Sequence, residues 1–298
     1  MSVDYKNKIK PNFLIVGAAK AGTTSLAKYL DEHPDIFISK IKEPRFLIAN
    51  TIKKTSKSDP SHNHLISTSV LNEDNYFSLF EKRTEKAIGE ASVHYLYHNK
   101  EAIENTIKYL GPETKIIILL RDPVKRAVSN WKYQDKDFLY FSEALKEEES
   151  RKREGFNSFW YYKELGFYFN QVQAYYGNFK NVKVILFEDF VKNTSSIMNS
   201  LYEFLDVDTN FTNREFIKHN DSSLSIMPKS EYLKKLLNTQ KKVNTFKKLI
   251  NKKIIPKRLY LKKKELIYNQ DIDFLKNIYK EDINKLQKLI NQDLSNWL

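Results

Sequence analysis

The feature that most constrains this chain lies in its first forty residues. Phe13-Leu14-Ile15-Val16 is a short apolar run of the kind that forms a strand buried on both faces. It ends at Gly17 and passes through Ala18-Ala19-Lys20-Ala21 to Gly22. Thr23-Thr24-Ser25 then opens a helical stretch that closes near His33-Pro34. Strand, glycine-bounded loop and helix in this order aim backbone N–H groups from a helix N-terminus at one point, which is how anions are held.

The rest of the chain repeats the alternation. Residues 115–120 (Lys-Ile-Ile-Ile-Leu-Leu) suit the centre of a parallel sheet, and Arg121-Asp122-Pro123 breaks that strand before a helix over 124–133. Residues 87–91 and 182–187 read as further strands. Helices are expected over 76–80, 101–110, 141–154, 195–205 and 274–290, with one buried aromatic-rich helix over 159–176. Residues 50–75 are polar and read as a long surface loop or weakly helical insertion. The pattern predicts an α/β fold: one domain over 1–298 with a central parallel sheet flanked by helices. Trp131 and Trp160 are candidates to stack on a base or a sugar ring.

The loop departs from the nucleotide-triphosphate P-loop in an informative way. Its lysine, Lys20, precedes Gly22 by two residues, and Thr23 stands where the P-loop has lysine. The backbone from Gly22 to Ser25 and the hydroxyls of Thr23, Thr24 and Ser25 can still hold a phosphate. From its place on the loop Lys20 can reach an outer, bridging oxygen. Apart from Glu188-Asp189, no apolar strand ends in the acids that a magnesium-dependent site needs, which favours a metal-free transfer.

Charge and composition narrow the classes. The chain has 298 residues and a formal net charge of +13. Residues 229–264 hold fourteen Lys and Arg against one acid, Glu231, leaving 36 of each sign elsewhere. A basic segment is thus attached to a neutral body. The absence of cysteine excludes disulfide scaffolds, thiolate metal sites and a cysteine nucleophile. Apolar runs are too short to cross a bilayer, and the charged first ten residues lead into no signal-peptide core. A cytoplasmic protein is expected.

Pro11-Asn-Phe-Leu-Ile-Val-Gly-Ala-Ala-Lys20-Ala-Gly-Thr-Thr-Ser25 resembles the 5′-phosphosulfate loop of sulfotransferases that use 3′-phosphoadenosine 5′-phosphosulfate (PAPS). Ile116-Ile-Ile-Leu-Leu-Arg121-Asp-Pro-Val-Lys-Arg126-Ala-Val-Ser129 resembles their 3′-phosphate segment. Lys42-Glu43-Pro44, Gly89-Glu90-Ala91-Ser92, Phe187-Glu188-Asp189 and Asp293-Leu-Ser-Asn-Trp297 extend the similarity along most of the chain. It looks most like bacterial carbohydrate-type members related to heparan sulfate sulfotransferase domains.

The resemblance implies a P-loop-like sulfotransferase fold. It also implies transfer of sulfonate from PAPS to a hydroxyl, that of a small molecule, oligosaccharide or glycolipid, without a metal. Lys20 would stabilise the leaving phosphate, and Lys20, Ala21, Gly22, Thr23, Thr24 and Ser25 would hold the 5′-phosphate. Arg121 and Ser129 would hold the 3′-phosphate. Glu43 is the favoured general base and His94 the second candidate. Glu90 would orient Lys20, bind substrate or simply close a strand. The basic segment, expected to be helical and lid-like over about 229–264, falls where relatives place a lid over the cofactor, and it leaves peripheral contact with an anionic membrane open; no nucleic-acid module is recognisable. Two other readings compete: a P-loop nucleotide kinase or NTPase, and a non-enzymatic basic protein docking on membrane or nucleic acid.

Overall fold

The computed structural model describes residues 8–213, 225–237 and 240–298. Residues 1–7 of the charged N-terminal stretch and Asn238-Thr239 of the basic segment lie outside the described residues.

Five strands form one sheet in the order β2-β3-β1-β4-β5: β1 Phe13–Gly17, β2 Ile36–Ile38, β3 Ala87–Ala91, β4 Lys115–Leu120 and β5 Val182–Leu186. All four pairings are parallel. β1 is buried along its whole length and β4 from Ile116 onward, because helices cover both faces. The chain leaves β1 toward β2 on one side and leaves β4 toward β5 on the other. The crevice between the C-terminal ends of β1 and β4 is therefore a topological switch point, where open α/β sheets bind ligands. The α/β architecture with a central parallel sheet is as the strand pattern predicts.

Several elements differ from expectation. The expected long helix over 159–176 is broken into turns at Ser158–Trp160 and Glu164–Gly166, and only Phe169–Tyr176 is an α-helix. Carboxylates from elsewhere take the N–H groups that a continuous helix would use. Glu148 accepts from Lys163 and Glu164, and Asp282 from Tyr168 and Phe169. Residues 50–75 take the second of the two expected forms, a weakly helical insertion, with the short helices Ala49–Lys53 and His62–Thr68 and the start of Glu73–Ser78. Buried Asp59 fastens this insertion by accepting from Asn157 and from the Trp160 indole. The sequence reading misses β2, which is only three residues long.

The basic segment is not wholly helical. β6 Ile226–Pro228 and β7 Tyr260–Lys262 pair antiparallel around the helices Glu231–Leu236 and Gln240–Asn251. Its own apolar cluster is Ile226, Leu237, Val243, Phe246 and Ile250. The C-terminal helix Asn269–Ile290 begins five residues before the expected start, with a Tyr268–Asp271 capping box. Among the described residues, no helix is long and apolar enough to cross a membrane.

Candidate functional site

The switch point is assembled from the loops after β1 and β4. Gly22 is the N-cap of the helix Thr23–Leu30, with φ 93° in the left-handed region. A Cβ there would lie 2.9 Å from the Phe187 ring, so close packing as well as conformation requires glycine. Among the described residues no side chain caps this helix, and no acid occupies its first turn, so the N-terminal amides and the dipole are left for an anion. Lys20 adopts φ 67°, left-handed and uncommon for a non-glycine residue.

Arg121 follows β4 directly. Its guanidinium donates to the Lys20 carbonyl at 3.1 Å and lies 4.7 Å from the Phe187 ring centre. Among the described residues its Nε is buried without a partner. Asp122 caps the next helix, Pro123–Tyr133, by accepting from Val124 and Lys125. Glu188 accepts from the Asp122 N–H at 3.3 Å, which ties Phe187-Glu188-Asp189 to the Arg121 loop. A cleft of about 380 Å³ opens beside Arg121. Ser129 lines it two turns along the helix, joined by Lys125, Lys132 and, from the C-terminal helix, Lys276.

The Lys20 ammonium lies 3.8 Å from the centre of the Tyr133 ring. Burial pushes its pKa down to about 8, and the Arg121 and Lys42 charges add to the shift. Lys42 therefore lies close to the loop, and its ammonium pairs with Glu43 at 2.8 Å. Glu43 is buried, adopts φ 62°, and accepts from the Val93 N–H at 3.0 Å through its second oxygen. Lys20, Lys42 with Glu43, Arg121 and Ser129 are thus gathered at one end of the sheet.

His94 is buried and follows Val93, whose N–H donates to Glu43. Its Nδ1 is 2.8 Å from Ser158 Oγ, which also lies 3.0 Å from His98 Nε2. Burial holds the His94 imidazole well below its ordinary value, with Arg45, His98 and Lys42 adding to the effect. Glu90 does not orient Lys20. It turns into the core and accepts from Tyr95 at 2.6 Å and Ser92 at 2.8 Å. Trp131 and Trp160 are buried, their indoles donating to Leu139 and Asp59, so neither offers a stacking face. The exposed aromatic at the site is Tyr133, which the sequence reading overlooked. Its signal was present: four residues after Ser129 on a helix puts both on one face. Among the described residues, no group of three or more His, Asp and Glu side chains could hold a metal ion.

A family model described as "Sulfotransferase family" matches residues 11–211. A solved sulfotransferase from Alicyclobacillus acidocaldarius superposes with a TM-score of 0.74 and 31% identity, over 97% of this chain and 99% of that one. The membrane-associated sulfotransferase kil1 of Dictyostelium discoideum is 33% identical over 136 residues, 44% of this chain and 24% of that protein. Carbohydrate sulfotransferase 15 of Mus musculus is 28% identical over 170 residues, 48% of this chain and 29% of that protein. The matched parts span less than a third of the length of these curated relatives. With the loop after β1, the Arg121 segment after β4 and a fold shared along nearly its whole length, this chain belongs to the sulfotransferase family.

Proposed function

We propose that the chain transfers the sulfonate group of PAPS to a hydroxyl of a carbohydrate or glycolipid acceptor. One observation carries the reading: at the switch point the Arg121 guanidinium touches the Lys20 carbonyl, joining an uncapped helix N-terminus to the cationic cleft that holds Ser129. That arrangement suits a nucleotide with separate 5′ and 3′ phosphates. The buried, unpartnered Arg121 Nε and the lysines of the cleft fit such a ligand. Carbohydrate as the acceptor class rests on similarity to a carbohydrate sulfotransferase and on the Lys42-Glu43-Pro44 segment.

The donor supplies a sulfonate whose departure leaves negative charge on a phosphate oxygen. Lys20 is the cation for that charge, and a pKa near 8 lets it share a proton with the oxygen as charge builds. The amides of Gly22 to Ser25 hold the 5′-phosphate, and Arg121 with Ser129 the 3′-phosphate. Glu43 takes the proton of the acceptor hydroxyl, with Val93 N–H and Lys42 fixing its carboxylate. His94 is the second candidate for that role; its bond to Ser158 and the lowered basicity that burial gives its imidazole favour Glu43. In this reading Lys20, Arg121 and the N-terminal amides supply the positive charge that faces the donor.

Calorimetric titration with 3′-phosphoadenosine 5′-phosphate (PAP) and with AMP tests the reading. Wild type is expected to bind PAP far more tightly than AMP, and Arg121→Ala to lose the preference. Equal affinity of the wild type for the two nucleotides would falsify it. Glu43→Ala is expected to keep PAP binding and lose transfer.

A further inference from the structure

Lys263 and Lys247 of the basic segment turn toward the body of the protein: Lys263 is buried and donates to the Trp131 and Gln134 carbonyls at 2.9 and 2.8 Å, and Lys247 pairs with Asp135 at 2.5 Å. Together with Ser225, which donates to the Lys132 carbonyl, these contacts fasten the segment to the end of the Pro123–Tyr133 helix. Lys234 pairs within the segment, with Glu231 at 2.6 Å. The helix Gln240–Asn251 buries Val243, Phe246 and Ile250 beneath it. At 100° per residue, Lys241, Lys248 and Lys252 stand on the opposite crest, and all three are exposed. Lys253, Lys257 and Arg258 are exposed in the turn that follows.

The same segment leaves large apolar side chains in solvent. Tyr232 is 74% exposed and Leu236, one turn along the same short helix, 47%. Ile254 is 60% exposed, and Leu259, whose carbonyl accepts from Lys229 N–H beside the start of that helix, is 38% exposed. A soluble polyanion would satisfy the lysines and leave these four in water. A bilayer with anionic headgroups satisfies both, the lysines at the phosphates and the apolar groups at the acyl boundary.

We propose that the face formed by residues 229–259 docks the protein on an anionic lipid surface. The proposal is independent of the sulfonate-transfer reading. It is tested by co-sedimentation of the full chain with vesicles of phosphatidylcholine alone and of phosphatidylcholine with phosphatidylglycerol, at low and high salt. Binding is expected only to the anionic vesicles, weakening as salt rises. Lys241→Glu with Lys248→Glu and Lys252→Glu should reduce it about tenfold or more. Tyr232→Ser with Ile254→Ser should reduce it about threefold or more while the salt response stays. All five positions are exposed, so thermal melts matching wild type confirm that the variants fold. Absence of binding to anionic vesicles overturns the proposal. So does binding indifferent to the apolar pair, or tighter binding to heparin or duplex DNA than to the vesicles, since either marks a surface for a soluble polyanion.

Discussion

The ammonium of Lys20 rests 3.8 Å from the centre of the Tyr133 ring, and Tyr133 is itself 58% exposed. One ring face therefore covers the cation while the rest of the side chain stays open to whatever enters the site. Such contacts contribute about 0.5–2 kcal/mol. If Lys20 meets the leaving phosphate, Tyr133→Ala should lower kcat roughly 2- to 30-fold, and Tyr133→Phe should stay near wild type. PAP affinity should change little. Steady-state kinetics with each variant checks this, and an unchanged kcat for Tyr133→Ala would show that the ring plays no part in turnover.

Lys20 also sets an expectation in pH. Its pKa is lowered to about 8, so the charged form is lost as pH rises through that value. The rate of transfer should fall along an alkaline limb near pH 8. Lys42 contributes to the lowering, so Lys42→Met should raise the Lys20 pKa and carry the limb to higher pH. A pH–rate profile of the two proteins tests the direction of the move, and a limb that stays in place would assign it to another group.

Ser129 lines the same cleft as Arg121 and offers one hydroxyl to the proposed 3′-phosphate. Hydrogen bonds to charged groups contribute about 1.5–3 kcal/mol. Ser129→Ala should therefore weaken PAP binding roughly tenfold or more, with AMP affinity unaltered. Calorimetry with both nucleotides separates this from a general loss of structure, which would lower both affinities together.

Much of the site was legible in the sequence because its parts are local. The loop from Gly17 to Ser25 and the run from Ile116 to Ser129 are each continuous, so their residue types and spacing expose their chemistry. What was hidden depends on tertiary placement. Trp131 and Trp160 are chemically able to stack, and only burial against Leu139 and Asp59 rules that out. The helix expected over 159–176 has the right apolar spacing. It is broken by carboxylates of Glu148 and Asp282, the latter more than a hundred residues away. β2 escaped notice because three residues, Ile36 to Ile38, carry too little pattern to read.

Glu90 yields the last prediction. It is fully buried and accepts from Tyr95 and Ser92, and the Ser92 hydroxyl accepts in turn from the Arg45 N–H at 3.1 Å. Through this chain the carboxyl helps hold the turn that carries Glu43. Burial raises its pKa to about 7, against the ordinary 4.5, despite the hydrogen bonds that oppose the shift. The folded protein then holds this proton more tightly than the unfolded chain. The resulting stability is fully present below pH 4.5 and is lost as pH rises through about 7. The difference between the two values corresponds to on the order of 3 kcal/mol. Glu90→Gln stays neutral and should lack this dependence. In urea unfolding between about pH 5 and pH 8, the wild-type midpoint should fall by more than that of Glu90→Gln. Parallel profiles for the two proteins would mean that Glu90 does not titrate in this window and that another group governs any loss of stability there.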